Sequence, residues 1–268
     1  MNIVDILSKL EKFKESVTAS LQEIEELDGA CKSIIQVYLC SNESPSSEYR
    51  LKIQAVIDYM YEKINIGNWK EKWQDQNYFM KLAGHRTVSI ELGSKYTDTD
   101  WTQKLMTMNE FITRHIYQNV GPTGYLAQYQ LFDQIPELKN DIFEPEYCCF
   151  ADSNDAVDVM AWFGPKGTVS PLHHDPKRNL LAQVVGEKQI FLYAPSDTEF
   201  LYPHDHELLC NTAQVDPRKP DLEKYPKYKE ANAYYCVLKP GQMLFIPPKW
   251  WHFVESLSVS FSVSFWWE

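Results

Sequence analysis

The segment PLHHDPKRN, Pro171 to Asn179, places two histidines and an aspartate in consecutive positions of a chain with only seven histidines. Imidazole nitrogens and carboxylate oxygens are common ligands of transition metals in proteins. Side chains of an extended segment alternate between its two faces, so His173 and Asp175 point one way and His174 points the other. The H-x-D pair can therefore supply two ligands to one metal, without His174.

A third ligand must come from elsewhere, and His252 is the best candidate. It lies in PGQMLFIPPKWWHFVE, where Pro240-Gly241 makes a turn, an apolar strand follows, and Pro247-Pro248 turns the chain back. This Gly-x5-Pro-x4-His spacing resembles the second metal motif of cupin-type proteins. Two histidines and one carboxylate leave coordination positions open, which favours Fe(II) in an oxygenase.

Other interpretations of these histidines stay open. Zinc accepts the same ligand set in hydrolases, although the HExxH motif of zinc proteases is absent from the sequence. In a purely structural interpretation, His173 hydrogen-bonds in a turn and His252 lies in an aromatic core. A second cluster, YPHDHELL with His204, Asp205 and His206, is the weaker metal candidate, because Asp205 is expected to cap a helix or lie in its first turn.

The first part of the chain has a helical pattern. Apolar residues recur at helical spacing there, beginning with Ile6, Leu10 and Phe13. We therefore assign residues 1–85 to a helical N-terminal region. Its apolar stripe is expected to pack in a core rather than to bind a partner.

From Arg86 onward the pattern changes to short β-rich runs such as TVSIEL, KQIFLYAP and VSFSVSFWW, many of them separated by turn-forming residues. One helical insert, Trp101 to Ile116, is expected among them. Many short strands predict a sandwich or a barrel. We expect a mainly β fold with some α: a double-stranded β-helix, or jelly roll, over residues 86–268.

Composition limits the classes of function. A net charge of -11 disfavours direct binding to nucleic acid or to anionic membranes, and it suits a basic partner. The N-terminus has no apolar run that could span a bilayer, so we expect an intracellular protein that does not enter a membrane. Six cysteines without a CxxC pair predict reduced, mostly buried thiols.

Three segments together resemble the JmjC oxygenases, and the resemblance runs from about Arg86 to the end of the chain. They are GTVSPLHHDPKRNLLAQVVGEKQIFLYAP, LYPHDHELLCNTAQVDPRKPDLEKYPKY and LKPGQMLFIPPKWWHFVESLSVSFSVSFWWE. The resemblance implies Fe(II), 2-oxoglutarate and O2 as cofactors, with His173, Asp175 and His252 as the catalytic metal ligands. It also implies that decarboxylation of 2-oxoglutarate to succinate is coupled to hydroxylation of a substrate C–H bond.

The same resemblance implies roles for residues around the metal. Lys188, which starts the strand after the Gly186-Glu187 turn, matches the family lysine that pairs with the far carboxylate of 2-oxoglutarate. Tyr125, Ser170 and Asn179 match the family's hydrogen-bonding partners of that cosubstrate.

For the substrate, the resemblance implies an arginine side chain of a protein, hydroxylated at C3. Glu91 matches the acid that faces the guanidinium, and Trp162 and Trp266 are expected as aromatic walls. Demethylation of N-methyl-lysine, with the same cofactors, is the alternative activity, and a non-catalytic cupin-like binding module is the third. Each tryptophan could also be core packing, and Glu91 could be a surface acid.

The resemblance also implies a nuclear protein and a chromatin regulator, with the cytoplasm as a further location. Its partner is expected to be a protein or peptide that presents a basic side chain. Because the chain ends at Glu268, directly after the last predicted strand, we expect a monomer.

Overall fold

A computed structural model of the protein describes residues 69–93, 95–142, 144–145, 148 and 156–268. The helices predicted within residues 1–68 lie outside the described part. Two of the described helices precede the first strand.

The described residues form eleven strands and several short helices. The strands are β1 Thr87–Leu92, β2 Thr102–Thr107, β3 Gly124–Tyr129, β4 Asp158–Gly164, β5 Val169–His174, β6 Arg178–Val185, β7 Lys188–Tyr193, β8 Tyr234–Leu238, β9 Met243–Ile246, β10 Trp251–Ser256 and β11 Ser260–Trp267. The helices are α1 Trp69–Gln74, α2 Gln76–Ala83, α3 Met108–Phe111, α4 Leu131–Gln134 and α5 Pro136–Lys139, with a π-helix at Ile112–Tyr117 and 3-10 turns at Pro195–Phe200 and Pro226–Glu230.

Two antiparallel sheets give the molecule a jelly-roll-like, mainly β architecture. The larger sheet has the strand order β2-β1-β3-β4-β11-β6-β9, and the smaller has the order β5-β10-β7-β8. Consecutive strands β5 and β6 belong to different sheets, so the chain crosses from one sheet to the other between them. This mainly β architecture agrees with the fold class predicted from the sequence.

Strand β11 shows how the sequence separates the inside of the fold from the outside. Its sequence, SFSVSFWW, alternates small polar residues with large apolar ones, and side chains of a strand alternate between its faces. Ser260, Ser262 and Ser264 are fully buried on the face that also carries Trp266, which lines an internal cavity. The opposite face packs in the main apolar core, with Phe261, Val263, Phe265 and Trp267. Small inward residues leave room for a cavity.

Helices α1 and α2 cover the outer face of the larger sheet. The rings of Trp73 and Phe79 lie 4.8 and 5.2 Å from the ring of Phe261, measured between centroids. Asp141 fixes the two helices, because its carboxylate accepts hydrogen bonds from Lys72 Nζ at 2.7 Å, Trp73 Nε1 at 3.2 Å and Tyr78 Oη at 2.6 Å. Three donors from two helices therefore converge on one buried carboxylate.

The helix predicted from Trp101 to Ile116 is wrong in its first half. Thr102–Thr107 form strand β2, which pairs antiparallel with β1 over six residues, and the helix starts at Met108. The Leu105 side chain on this strand is 70% exposed. Thr107 caps the helix, because its side chain accepts a hydrogen bond from the backbone N–H of Glu110.

The segment YPHDHELL does not open a helix, so the interpretation of Asp205 as a helix cap is wrong. The backbone there runs in turns, held by a hydrogen bond from His204 N to Thr212 O and a β-bridge between Pro203 and Ala213. Of the described cysteines, Cys148 is buried, Cys236 is half-buried and Cys210 is exposed, whereas the sequence predicts mostly buried thiols. In the described ranges, no helix is both long and apolar enough to cross a membrane.

Candidate metal centre and cosubstrate cavity

His173, Asp175 and His252 converge in space. His173 is the second-last residue of β5, and Asp175 directly follows that strand. His252 of β10 is paired with His173 across the two strands. Asp175 Oδ2 lies 3.8 Å from His173 Nε2 and 3.5 Å from His252 Nε2. In the described part of the chain, this is the one group of three or more His, Cys, Asp or Glu residues whose ligand atoms lie within 4.8 Å of one another. The three residues form a metal-binding triad.

Hydrogen bonds orient both imidazole rings toward the centre of the triad. His173 Nδ1 lies 2.7 Å from the carbonyl oxygen of Pro171, and His252 Nδ1 lies 3.0 Å from that of Trp250. Since a carbonyl only accepts, each Nδ1 carries the proton and donates it, which leaves each Nε2 with a free lone pair. This arrangement is typical of metal-binding histidines.

The charges of the triad suit a cation. Burial and the neighbouring His252 ring lower the pKa of His173 to about 4, so this ring is neutral at pH 7. Burial raises the pKa of the Asp175 carboxyl, but the facing His252 and His173 rings outweigh burial and bring it to about 2. Among the described residues, the buried Asp175 Oδ2 has no hydrogen-bond partner. A metal ion would neutralise this otherwise uncompensated carboxylate, so the residues fit the group.

His174 points away from the triad, as the strand alternation predicts. Its ring packs edge-on against Trp251 with centroids 4.6 Å apart. Its backbone is tied to Asn211 in both directions: His174 N donates to Asn211 O, and Asn211 Nδ2 donates to His174 O. The backbone N–H of Lys249 donates to Asp175 O at 2.7 Å. Backbone bonds on both sides therefore hold the ligand-bearing segment.

An internal cavity extends from the triad into the fold. It is lined by Tyr125, Trp162, Ser170, His173, Asp175, Asn179, Leu181, Lys188, Ile246, His252, Val254 and Trp266. This lining contains all four residues predicted to hold a cosubstrate and both tryptophans predicted as substrate walls. The fold therefore places these six residues around one space.

Lys188 is a buried cation without a counter-charge. Its side chain is 1% exposed, and its Nζ donates one hydrogen bond, to Tyr125 Oη at 3.3 Å. No carboxylate of the described residues forms an ion pair with it, and burial alone lowers the pKa of Lys188 to about 7. A buried ammonium is costly unless it is paired. The carboxylate of a small acid in this cavity would supply the missing partner.

Two other buried polar atoms in the cavity also lack partners among the described residues. They are Asn179 Oδ1 and Trp266 Nε1. Trp162, by contrast, donates from Nε1 to Ser264 Oγ at 2.8 Å. An acceptor and a donor are thus both available to a bound molecule, beside the ammonium of Lys188.

The structure does not bring Glu91 into this cavity. Its carboxylate accepts a hydrogen bond from Trp101 Nε1 at 3.2 Å, and it lines a smaller neighbouring cavity together with Lys95, Trp101 and Tyr125. Burial raises the pKa of Glu91. Tyr125 pairs with Glu91 across strands β1 and β3 and lines both cavities, so it connects the two.

Tyr96 is a site residue that sequence reasoning missed. Its hydroxyl lies 3.2 Å from Thr212 Oγ1, and Thr212 forms a bridge with the metal-ligand candidate His173. Burial raises the pKa of Tyr96, as do the charges of Asp175 and Glu91. Tyr96 therefore lies within electrostatic reach of both carboxylates. Nothing in the local sequence KYTDTD signals this placement, because it depends on a loop that packs across a strand edge.

Comparison with known proteins identifies the family of this chain. The family model described as a cupin-like domain matches residues 56–268. The chain belongs to the cupin-like family. Within it, this JmjC protein is 55% identical to lysine-specific demethylase 8 of Xenopus tropicalis, over 75% of its own length and 46% of that protein. It is 57% identical to lysine-specific demethylase 8 of Danio rerio, over 71% of its length and 48% of that protein.

A third relative is named after its Jumonji C domain. The cupin-like chain is 51% identical to Jumonji C domain-containing protein 5 of Drosophila melanogaster, over 74% of its length and 51% of that protein. The chain thus spans about half the length of these curated relatives. The family resemblance read from the sequence is confirmed.

Proposed function

We propose that the protein is a Fe(II)- and 2-oxoglutarate-dependent oxygenase. The observation that carries this proposal is Lys188, a buried ammonium without a counter-charge in the same cavity as the His173–Asp175–His252 triad. A plain metal hydrolase would not require a buried cation at that position. A ligand that chelates the metal at one end and carries a carboxylate at the other would satisfy both features.

The residues of the chain hold and orient the reactants. His173, Asp175 and His252 would hold Fe(II), while Lys188 and Tyr125 would bind the far carboxylate of 2-oxoglutarate. Trp266 Nε1 offers a further donor, and Asn179, through its side-chain NH2, and Ser170 are proposed as other partners. When bound, iron and 2-oxoglutarate supply the oxidation: 2-oxoglutarate, O2 and a substrate C–H bond give succinate, CO2 and a C–OH group.

We further propose arginine hydroxylation at C3 as the reaction on the protein substrate. Trp162 and Trp266 provide flat surfaces for a guanidinium in the main cavity. Glu91 supplies a carboxylate in the smaller cavity, where it is paired with Tyr125 across strands β1 and β3. The chain's net charge of -11 suits a basic peptide.

N-methyl-lysine demethylation is the second candidate. Two relatives are named lysine-specific demethylases, and aromatic walls also recognise methylated ammonium groups. Both reactions imply a protein substrate, and we propose a nuclear enzyme that also occurs in the cytoplasm. We further propose that residues 86–268 form the double-stranded β-helix, with residues 1–85 as a helical region before it.

The experiment that separates the two reactions compares peptides. The Fe(II)-loaded protein is supplied with 2-oxoglutarate and either an arginine peptide or a methyl-lysine peptide, and product masses are measured. The proposal predicts a gain of one oxygen on arginine. Loss of a methyl group with release of formaldehyde would move the function to demethylation. Absence of succinate with every peptide would favour a non-catalytic binding module.

The role of Glu91 can be tested with Glu91→Gln. If Glu91 pairs with the guanidinium, this variant should raise the KM for the arginine peptide by about tenfold or more, because a charge-assisted bond is lost. The KM for 2-oxoglutarate should stay unchanged. Glu110→Gln is the matched control, since Glu110 pairs only with Arg114 on the helix surface. An unchanged peptide KM in Glu91→Gln would remove Glu91 from the substrate site.

A further inference from the structure

Gln183 lies on the face of strand β6 that lines the cosubstrate cavity, next to the residues that line it. Residues of a strand that share a face are two positions apart, so Gln183 follows Asn179 and Leu181, which both line the cavity. Its side chain is 1% exposed. A buried amide carries two donors and an acceptor that must all be satisfied.

Every polar atom of this amide is satisfied, and two of its four bonds go to one turn. Nε2 donates to the carbonyl oxygens of Val185 at 2.8 Å and Gly186 at 3.0 Å, and to Ser260 Oγ at 3.2 Å. Oε1 accepts from Ser262 Oγ at 2.7 Å. The amide therefore ties the end of β6 to strand β11.

The turn needs these bonds because the sheet pairing is interrupted there. Between Phe261 and Ser262 the register of β11 with β6 shifts, so one strand carries an extra residue, as in a β-bulge. Gly186 follows in a left-handed conformation, with φ +72, and a Cβ at this position would lie 1.9 Å from Val259 O. This conformation of the turn therefore favours glycine at position 186, and Gln183 supplies hydrogen bonds to the carbonyls of the turn.

The residue that leaves this turn is Lys188, at the start of β7. Its ammonium has a single hydrogen bond, to Tyr125, and no ion pair with a described residue. Without a cosubstrate, the position of Nζ is set by that bond and by the backbone of Lys188, which pairs with Ser256 of β10 and Leu238 of β8. A shift of the Gly186-Glu187 turn would move the ammonium relative to the metal triad.

We propose that Gln183 is a positioning residue for Lys188, which sets the distance between the cosubstrate-binding ammonium and the metal triad. The inference rests on the proposed use of 2-oxoglutarate. Gln183 touches neither the metal ligands nor the cosubstrate in this account; it acts through the turn. Loss of its amide should weaken the binding of 2-oxoglutarate while leaving the metal site intact.

Gln183→Met tests this, because it keeps a similar side-chain length and removes the hydrogen bonds. The readouts are the Kd of Mn(II), and the Kd of 2-oxoglutarate for the Mn(II)-loaded protein, both by calorimetry. We expect the Kd of 2-oxoglutarate to rise about tenfold, because a shift of the turn would weaken the charge-assisted bond between Lys188 Nζ and the far carboxylate. The Kd of Mn(II) should change by less than about twofold.

Two further variants keep the test decisive. Asp141→Asn removes a different hydrogen-bonding centre, the one that joins helices α1 and α2, and leaves the bonds of Gln183 in place, so it should leave both Kd values unchanged despite a loss of stability. Ser262→Ala removes only the bond to Gln183 Oε1, and should raise the Kd of 2-oxoglutarate about threefold even if Gln183→Met does not fold.

The inference is overturned if Gln183→Met and Ser262→Ala bind 2-oxoglutarate like the wild type. It is also overturned if Asp141→Asn weakens that binding equally, or if the affinity for Mn(II) falls in parallel. Failure of the wild-type Mn(II) protein to bind 2-oxoglutarate would instead overturn the proposed function itself, and the inference with it. The wild-type measurement thus distinguishes the two failures.

Discussion

At the scale of single residues, Lys188 combines a functional role with a cost to stability. The folded protein lowers the pKa of this buried ammonium to about 7, whereas an unfolded chain has the ordinary lysine value. At neutral pH the unfolded state therefore binds more protons at this residue, and folding is opposed. The destabilisation caused by Lys188 therefore declines as the pH rises above about 7. In that range the folded-state lysine is already neutral, and the unfolded state loses its proton as the pH approaches the ordinary lysine pKa.

Lys188→Met should make the cosubstrate-free protein more stable and inactive. We expect the free energy of unfolding at pH 7 to rise by roughly 1–4 kcal/mol, because a buried charge is replaced by an apolar side chain of similar length. Denaturant unfolding measures this change, and binding of 2-oxoglutarate should be lost. Lys227→Met, at an exposed pair with Glu199, should change stability by less than about 0.5 kcal/mol. Destabilisation by Lys188→Met would contradict the view of Lys188 as an unpaired buried cation.

At the scale of elements, Asp141 joins helices α1 and α2 to the rest of the fold. Burial raises the pKa of its carboxyl, but hydrogen bonds from Lys72, Tyr78 and Trp73 outweigh burial and hold the pKa below its ordinary value. Such a carboxylate contributes stability above its unfolded pKa, and this contribution declines as pH falls through the folded pKa. The helices should therefore be held more weakly in acid.

Asp141→Asn should lower the free energy of unfolding at pH 7 by about 1–3 kcal/mol, since the donors of Lys72, Trp73 and Tyr78 lose a charged acceptor. The difference between wild type and variant should shrink below about pH 4, where the wild-type carboxyl also takes up a proton. Urea unfolding at pH 7 and pH 3 measures both values. An equal difference at the two pH values would show that the charge of Asp141 does not matter.

The elements also show what the sequence can and cannot predict. The run TVSIEL coincides with β1 Thr87–Leu92, and KQIFLY with β7 Lys188–Tyr193, because alternation and turn residues are local signals. Strand alternation likewise predicted the opposite directions of His173 and His174. Strand β2 was missed because it depends on pairing with β1, a contact that overrides local helical spacing.

The rest of the site depends on tertiary contacts that no local pattern encodes. The separation of Glu91 from the main cavity follows from the β1–β3 register and the hydrogen bond to Trp101. The loop that carries Tyr96 packs against Thr212, far away in sequence. Family resemblance supplied Lys188 as a candidate, but its lack of a counter-charge became visible only in the folded structure.

At the scale of the whole molecule, the cavity joins the two sheets. Strands β5, β7 and β10 of the smaller sheet contribute Ser170, Lys188 and His252, and strands of the larger sheet contribute Tyr125 and Trp162. A ligand that binds only the folded state stabilises it by RT ln(1 + [L]/Kd), where [L] is the free ligand concentration. Binding of metal and cosubstrate should therefore raise the free energy of unfolding of the two sheets together.

With Mn(II) and 2-oxoglutarate each at a hundredfold excess over its Kd, each ligand should add about 2.7 kcal/mol to the free energy of unfolding. Thermal unfolding should show a higher Tm for the wild type. Asp175→Ala should lose the effect of the metal, and Lys188→Met should keep the effect of Mn(II) but lose that of 2-oxoglutarate. An equal rise of Tm in all three proteins would mean that the ligands bind elsewhere.

We propose that the triad and Lys188 form one oxygenase site. The most direct measurement is the rate of succinate formation from 2-oxoglutarate by Fe(II)-loaded wild type and Asp175→Ala, with the fold of each checked by circular dichroism. The account predicts turnover by the wild type and a loss of about a thousandfold or more in the folded variant, because one of the three metal ligands is missing. Succinate formation by folded Asp175→Ala at the wild-type rate would contradict it.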